Sequence, residues 1–304
     1  MRIVRPVTVC FYGALALVLG GLAALVGLRA GIGAWPGGVV ALGVLAVGAR
    51  KPLRRWRLAR RAFPEAWRRW LEAHVPFYRA LDAAERRRFE RDVQFFLAEQ
   101  RFEGVGVEVT DELRLAVAAG AALLLHGRPD WEWPARRTIL FYADRFDADY
   151  FEDEAGEFDG MAHAQGPIIL SAKAVEEGWA VPNDGSNVVL HELAHVFDFG
   201  DLEADGMPTL LDPTSAEAWR RLIRQEMVKV RQGRSLLRRY AATNAAEFFA
   251  VAVENFFERP ELLAHRHPEL FAALRAFFNL DPRHPGASDA GKSGDGKPFV
   301  AEQL

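Results

Sequence analysis

The chain has 304 residues and a single cysteine, Cys10, so no internal disulfide can form. With one cysteine, the chain also has no cysteine-based metal or redox motif. Aspartate and glutamate are absent from the first 61 residues, which nevertheless contain ten lysines and arginines. All 41 acidic side chains therefore follow this basic segment. Because the basic residues adjoin long apolar runs, we expect a membrane as partner and no direct nucleic-acid binding.

The basic segment contains two uncharged runs, residues 6–28 and residues 30–49, separated by Arg29. About 20 apolar residues are enough for a helix to cross a bilayer. Basic side chains flank the pair at both ends, in residues 2–5 and again in residues 50–61. The positive-inside rule then places both flanks in the cytoplasm. We predict that residues 1–61 are a membrane anchor, a transmembrane helical hairpin of the bacterial inner-membrane type, with the remainder of the chain cytoplasmic.

Two alternatives for the anchor stay open. The second run contains several glycines and Pro36, so it could be a re-entrant segment beside a single span. A signal peptide over residues 1–30 would have an unusually long apolar core and would leave the second run unexplained.

Residues 62–281 have the pattern of an α+β domain that is predominantly helical. Apolar side chains recur at three-to-four spacing in residues 64–126, 188–199, 215–231, 245–258 and 268–278. Residues 138–142 (TILFY) and 167–170 (PIIL) have the composition of strands, which predicts a small β-sheet. We expect the second strand to offer an edge to an extended peptide. The acidic segment 144–159 is predicted to be a solvated loop, and residues 282–304 a disordered tail.

The strongest motif is the sequence HELAH over residues 191–195. Histidines four residues apart lie on one face of a helix, so His191 and His195 can bind one zinc ion. Glu192 lies beside that face, where it can accept a proton from an activated water. Polar residues at 183–186 and Gly200 mark the two ends of this helix. An otherwise apolar helix with two histidines and a glutamate needs partners for them, which favours a metal site over chance.

A catalytic zinc site also needs a third protein ligand. Asp201 has the spacing of one known arrangement, but the required glycine is replaced by Asp198. His265 and His267 each lie near a proline.

Glu247, on the next apolar helix, corresponds to the arrangement in which a separate helix supplies a glutamate ligand. Asn244 and Glu247 are also spaced as a capping box, so the pattern alone leaves both interpretations open. Glu254, two turns further on, either supports the site or is exposed.

Several longer motifs carry a resemblance to a known family. They are NVVLHELAHVFD (187–198), YAATNAAEFFAV (240–251), ENFF (254–257), PEL (260–262), FEG (102–104), TDE (110–112) and the LLL that ends at residue 125. Together they span about residues 65–282, and the long motifs are specific. This part of the chain resembles the Mlc titration factor A family of zinc-dependent peptidases, whose catalytic core is similar to that of anthrax lethal factor.

The resemblance implies a zincin-like metallopeptidase domain that holds Zn²⁺. It implies Glu247 as the third metal ligand and Tyr240 as a catalytic residue that stabilises the oxyanion. Asp198 matches an acidic position of the family and could orient an imidazole. The implied activity is aminopeptidase-like hydrolysis of peptides or proteins, and the implied regulatory partner is the transcription repressor Mlc. The basic apolar head departs from the founding members, which are soluble.

We therefore expect a zinc-dependent peptidase that uses metal-activated water, with Glu192 as general base. The alternative is a membrane-tethered binding protein that sequesters a transcription repressor, with hydrolysis incidental. Partner capture that survives the loss of hydrolysis would favour this alternative.

Overall fold

The computed structural model describes residues 1–134, 137–147, 157–163, 166–198 and 213–285. Most of the predicted acidic loop, the alternative ligand Asp201, the predicted helix stop Gly200 and the tail beyond residue 285 lie outside these ranges. The chain divides into two compact units. One comprises residues 1–62 with 129–131, and the other comprises residues 63–128 with the chain from residue 132 onward.

The first unit consists mainly of two long helices, α1 (Pro6–Arg29) and α2 (Trp35–Ala59). Small residues let them approach closely, because a Cβ added at Gly20 would lie 3.0 Å from the Cβ of Ala41. Further along, the ring of Tyr12 lies against Gly48. These pairings show that the two helices run antiparallel.

Within the described residues, one helix is long and apolar enough to cross a membrane, and that helix is α1, with 24 residues. The second half of α2 carries Arg50, Lys51, Arg54, Arg55 and Arg57, which leaves too short an apolar stretch to meet the same test. The structure thus shows one apolar N-terminal helix, and a second membrane span stays a prediction.

The second unit is mostly helical. Its helices are α3 (Glu65–His74), α4 (Pro76–Ala80), α5 (Ala83–Glu99), α6 (Asp111–Leu124), α7 (Ala172–Ala180), α8 (Val188–Asp198), α9 (Pro213–Arg231), α10 (Ala245–Glu258), α11 (Pro260–Arg266) and α12 (Pro268–Phe278). A short 3₁₀ helix, Arg239–Ala242, precedes α10. Helix α8 packs against both α6 and α10. The phenylalanine, valine and alanine side chains of α10 are buried along nearly its whole length.

A small mixed sheet lies in the same unit. Its strands are β1 (Arg101–Val105), β2 (Thr138–Tyr142), β5 (Gly160–Ala162) and β6 (Ile168–Ser171); a separate antiparallel pair is formed by β3 (Phe146–Asp147) and β4 (Glu157–Phe158). The order in the larger sheet is β1-β2-β6-β5. The first three strands are parallel, and β5 runs antiparallel to β6. In the described part of the chain, β5 is therefore an edge strand.

The prediction that residues 167–170 offer a free edge is wrong. The strand exists as β6, but it pairs with β2 on one side and with β5 on the other. Its side chains agree with an interior position, since Ile168 and Leu170 are buried. The edge strand on this side of the sheet is β5. The sequence does not predict β5, because its three residues include a glycine and show no strand pattern.

Side-chain caps fix the starts of the two helices that matter most for the site. The Asn187 side chain accepts hydrogen bonds from the backbone N–H groups of Val189 and Leu190. It is thus Asn187, and not the polar residues at 183–186, that caps α8. The Asn244 side chain accepts from the N–H of Glu247, at 2.8 Å, and caps α10. The predicted cap of α10 is present, while the Glu247 carboxylate makes other contacts.

Candidate metal centre

Helices α8 and α10 bring three of the predicted side chains together. Donor atoms of His191, His195 and Glu247 all lie within 4.8 Å of one another. His191 Nε2 is 3.0 Å from Glu247 Oε2 and 3.3 Å from His195 Nε2. His195 Nε2 is 3.6 Å from Glu247 Oε1. Among the residues that the structure describes, this is the one group of His, Cys, Asp and Glu side chains arranged to hold a metal ion.

The charges at this cluster also fit a cation. Burial alone would lower the pKa of His191, but the carboxylates of Glu247 and Glu254 raise it to about 10. Burial would raise the pKa of Glu247, yet the two histidines hold it well below its usual range. The cluster therefore stabilises positive charge, and two imidazole nitrogens with one carboxylate are a common donor set of catalytic metal sites.

Glu254 supports the cluster from behind. Its side chain is fully buried, which decides against the exposed interpretation. Its Oε1 lies 2.8 Å from His191 Nδ1, on the side of the ring opposite Glu247. Arg238 donates two hydrogen bonds to this carboxylate, and the N–H of Asn187 donates a third. A buried carboxylate with this many donors is well compensated for its lost hydration.

Asp198 is the last residue of α8 and is fully buried. Its assignment to orienting an imidazole stays a prediction, whereas the carboxylate placed against His191 Nδ1 is that of Glu254. His267, another candidate ligand, lies in a separate cluster. Its Nδ1 is 2.6 Å from Glu226 Oε2, and its Nε2 accepts from the N–H of Leu236.

A cleft of about 390 Å³ opens onto this cluster. It is lined by Asp159, Gly160, Ser186, Val188, His191, Glu192, Arg238, Tyr240 and Glu254. Burial raises the pKa of the Glu192 carboxyl, and the two neighbouring histidines oppose this rise. The Tyr240 ring centroid lies 6.1 Å from that of His191. Burial, together with Glu247 and Glu192, raises the pKa of Tyr240, so its phenol stays protonated and able to donate a hydrogen bond.

Two residues of the cleft were not foreseen from the sequence. Arg238 carries no motif of its own. Gly160, the first residue of β5, passes so close to α8 that an added Cβ would lie 2.6 Å from both Cγ and Oε1 of Glu192. No local pattern in the sequence reveals either contact, because each joins segments that are distant in the chain.

A family model described as glucose-regulated metallo-peptidase M90 matches residues 50–279. The chain belongs to this family. Its resemblance to Mlc titration factor A is thereby confirmed, and the protein is a metallopeptidase. The match begins at residue 50, so α1 and the first part of α2 lie outside it.

Curated relatives cover most of the chain. An uncharacterized protein of Synechocystis is 34% identical over 251 residues, which are 75% of this chain and 89% of that protein. Mlc titration factor A of an Enterobacter species is 30% identical over 256 residues, covering 78% of this chain and 95% of the relative. Mlc titration factor A of Salmonella arizonae is 30% identical over 226 residues, or 68% and 88% of the two chains.

Proposed function

We propose that this metallopeptidase is a zinc enzyme whose ion is held by His191, His195 and Glu247. The observation that carries the proposal is the convergence of their donor atoms within 4.8 Å, beside a cleft that His191 lines. A bound Zn²⁺ would polarise the scissile carbonyl and lower the pKa of the attacking water.

Two further side chains on the cleft wall supply the remaining chemistry. Glu192 accepts the proton of the attacking water and passes it to the departing amine. Its buried position, beside the two histidines, keeps bulk water from competing for that proton. The Tyr240 hydroxyl donates a hydrogen bond to the oxyanion that forms when the carbonyl is attacked. Glu192→Gln removes the base and keeps the size of the side chain, so hydrolysis is lost while metal content stays at the wild-type level.

The substrate binds as an extended peptide along β5. Just outside β5, Ser171 N–H donates to Asp159 O at 2.9 Å, and His163 N–H donates to Pro167 O at 3.3 Å. The alternation of an antiparallel ladder then turns the backbone groups of Gly160 and Ala162 away from β6, toward the free edge. Since Gly160 also contacts Glu192, a peptide on this edge would pass directly over the base.

Ala162→Pro tests this binding mode, because it removes an outward N–H and leaves the Met161 pairing with β6 in place. We expect KM for peptides to rise with little change in zinc content. Ala162→Ser keeps the N–H and serves as the matched control. An unchanged KM in Ala162→Pro, with the protein folded, would contradict peptide binding on β5.

Cleavage is proposed to be aminopeptidase-like, as the family resemblance implies. A pair of otherwise identical peptides, one with a free and one with an acetylated N-terminus, distinguishes the possibilities. Preferred cleavage of the free peptide supports an aminopeptidase, and equal cleavage of both contradicts it.

The catalytic domain is proposed to lie on the cytoplasmic side of a membrane, anchored by residues 1–61. The apolar helix α1 and the arginines in the second half of α2 support this placement. Green fluorescent protein fused to the C-terminus should fluoresce in a bacterial host, and an alkaline phosphatase fusion at the same point should be inactive. The reverse result would place the domain outside the cytoplasm.

The name of two relatives, Mlc titration factor A, supports a second proposal, a transcription repressor as regulatory partner. A binding assay between the Glu192→Gln protein and a purified Mlc repressor tests it. Binding in the absence of hydrolysis supports this partner, and no binding at micromolar concentrations contradicts it.

A further inference from the structure

Arg238 and Glu254 form an ion pair next to the metal centre that the peptidase chemistry above leaves without a role. We propose that they are a positioning pair: Glu254 fixes the orientation of the His191 ring, and Arg238 couples this carboxylate to the segment that carries Tyr240. The inference rests on the proposed metal site and on the proposed role of Tyr240, and it assigns a function to two residues outside the metal-binding set.

The Glu254 carboxylate is satisfied on both oxygens. Oε1 lies 2.8 Å from His191 Nδ1 and 2.8 Å from one terminal nitrogen of Arg238. Oε2 accepts from the backbone N–H of Asn187 at 2.7 Å and from the other terminal nitrogen of Arg238 at 2.9 Å. Such a two-point pairing of guanidinium and carboxylate fixes direction as well as distance.

The position of Glu254 sets the state of the His191 ring. A carboxylate facing Nδ1 keeps a proton on that nitrogen, so Nε2 is the nitrogen whose proton a bound metal ion would replace. Nε2 is the nitrogen that lies near Glu247 and His195. The ring is thus held with its ligating nitrogen toward the other two ligands, and the carboxylate makes that nitrogen a better donor.

The position of Arg238 links this pair to the segment that carries Tyr240. Arg238 immediately precedes the 3₁₀ helix Arg239–Ala242, which contains Tyr240. Its guanidinium lies 5.8 Å from the Tyr240 ring centroid while it binds Glu254 with both terminal nitrogens. The Arg238 side chain therefore contacts both the Glu254 carboxylate and the Tyr240 ring. It limits how far the Tyr240 segment can move from the metal centre.

Substitutions of Glu254 and of Arg238 should change different quantities, the zinc affinity and kcat respectively. Glu254→Gln removes the negative charge beside His191 Nδ1, so we expect the affinity for Zn²⁺ to fall about 10- to 100-fold. Arg238→Ala leaves the Glu254 carboxylate on His191 and releases the Tyr240 segment. We therefore expect a near wild-type metal affinity, an unchanged KM and a clear fall in kcat.

The experiment uses the full chain in detergent. Zinc affinity is measured by competition with a chelator, and the visible absorption of the Co²⁺-substituted protein reports the ligand geometry without any turnover. Arg239→Ala and Glu261→Gln are matched controls, since Arg239 is the exposed residue next to Arg238 and Glu261 is an exposed glutamate on α11. Both controls should retain wild-type affinity, Co²⁺ spectrum and kcat.

A double variant separates positioning from a merely structural role. If Arg238 acts through Tyr240, Arg238→Ala should cost little further kcat in a Tyr240→Phe background. Arg238→Lys restores the charge without the two-point contact, so it should recover only part of the lost kcat. Should Glu254→Gln not fold, Glu254→Asp keeps the charge but shortens its reach, and the same loss of affinity is expected.

Wild-type zinc affinity and Co²⁺ spectrum in the Glu254 variant would overturn the inference for Glu254. If the double variant loses kcat by the product of the two single-variant factors, the inference for Arg238 is overturned. Both outcomes leave the proposed function intact, because the wild-type protein still binds metal and hydrolyses peptide. A wild-type chain that takes up neither zinc nor cobalt would instead overturn the proposed function, and this inference with it.

Discussion

Gly160→Ala tests whether the edge strand β5 positions Glu192, the proposed catalytic base. The added Cβ would lie 2.6 Å from Cγ and Oε1 of Glu192 and 2.8 Å from Cγ2 of Val188. Ordinary van der Waals contacts at such a carbon are about 3.4–4 Å, so the neighbours must retreat by roughly 1 Å. Val188 is β-branched and stiff at χ1, so the Glu192 side chain is the group that moves.

A displacement of about 1 Å in a reacting group can cost on the order of 10²-fold in rate. We therefore expect kcat to fall by about that factor in Gly160→Ala. The overpacking should lower the free energy of unfolding by about 1–3 kcal/mol. Zinc content should remain that of the wild type, because the three atoms nearest to the added carbon belong to Glu192 and Val188 and to none of the proposed ligands. Steady-state kinetics, thermal unfolding and metal analysis measure the three quantities.

Gly120→Ala is the matched control, since its added Cβ would lie 2.6 Å from Val189 Cγ1, on the core side of the same helix. It should destabilise the protein with little effect on kcat. If Gly160→Ala loses stability but keeps kcat within a few-fold of the wild type, the contact with Glu192 does not position the base. If both variants lose kcat equally, a general disturbance of α8 explains the loss.

Two further results are expected. Tyr240→Phe removes only the hydroxyl, so kcat should fall by about 10²- to 10³-fold with metal content unchanged; a kcat near the wild-type value would exclude an oxyanion role. Burial, helped by Asp184, raises the pKa of Glu258 to about 7 from an ordinary 4.5. The folded protein then favours the protonated form of Glu258. The free energy of unfolding therefore declines as pH rises from about 4.5 to 7 and stays reduced above that. Glu258→Gln should therefore raise the free energy of unfolding by about 1–3 kcal/mol at pH 8 and by little near pH 4.5, and equal changes at both pH values would contradict this cause.

The sequence predicted the parts of the site that depend on local geometry. Histidines four residues apart on an apolar helix fall on one face, and the structure brings His191 and His195 together at that spacing. The helix of Glu247 was predicted with its observed bounds, Ala245–Glu258, because its apolar period and its cap are both local signals. The role of Glu247 was ambiguous, since a cap and a ligand require the same residue at the same position. The structure places the Asn244 side chain on the helix N-terminus and the Glu247 carboxylate on the histidines.

The parts that depend on contacts between distant segments could not be predicted. Whether β6 is an edge or an interior strand depends on β5, whose three residues have no recognisable pattern. Gly160 matters only because β5 passes over Glu192, and Arg238 matters only because the carboxylate of Glu254 is turned toward it. The second apolar run illustrates another limit: its length suggested a span, whereas α2 combines that run with an arginine-rich second half in one continuous helix.

Metal analysis of the full chain and of its His191→Ala variant tests the central claim most directly. The wild-type protein should contain about one zinc ion per chain and hydrolyse peptides, since three convergent donors are the number that a catalytic zinc site uses. His191→Ala should lose both the zinc and the activity while remaining folded. Stoichiometric zinc together with wild-type hydrolysis in His191→Ala would contradict the account.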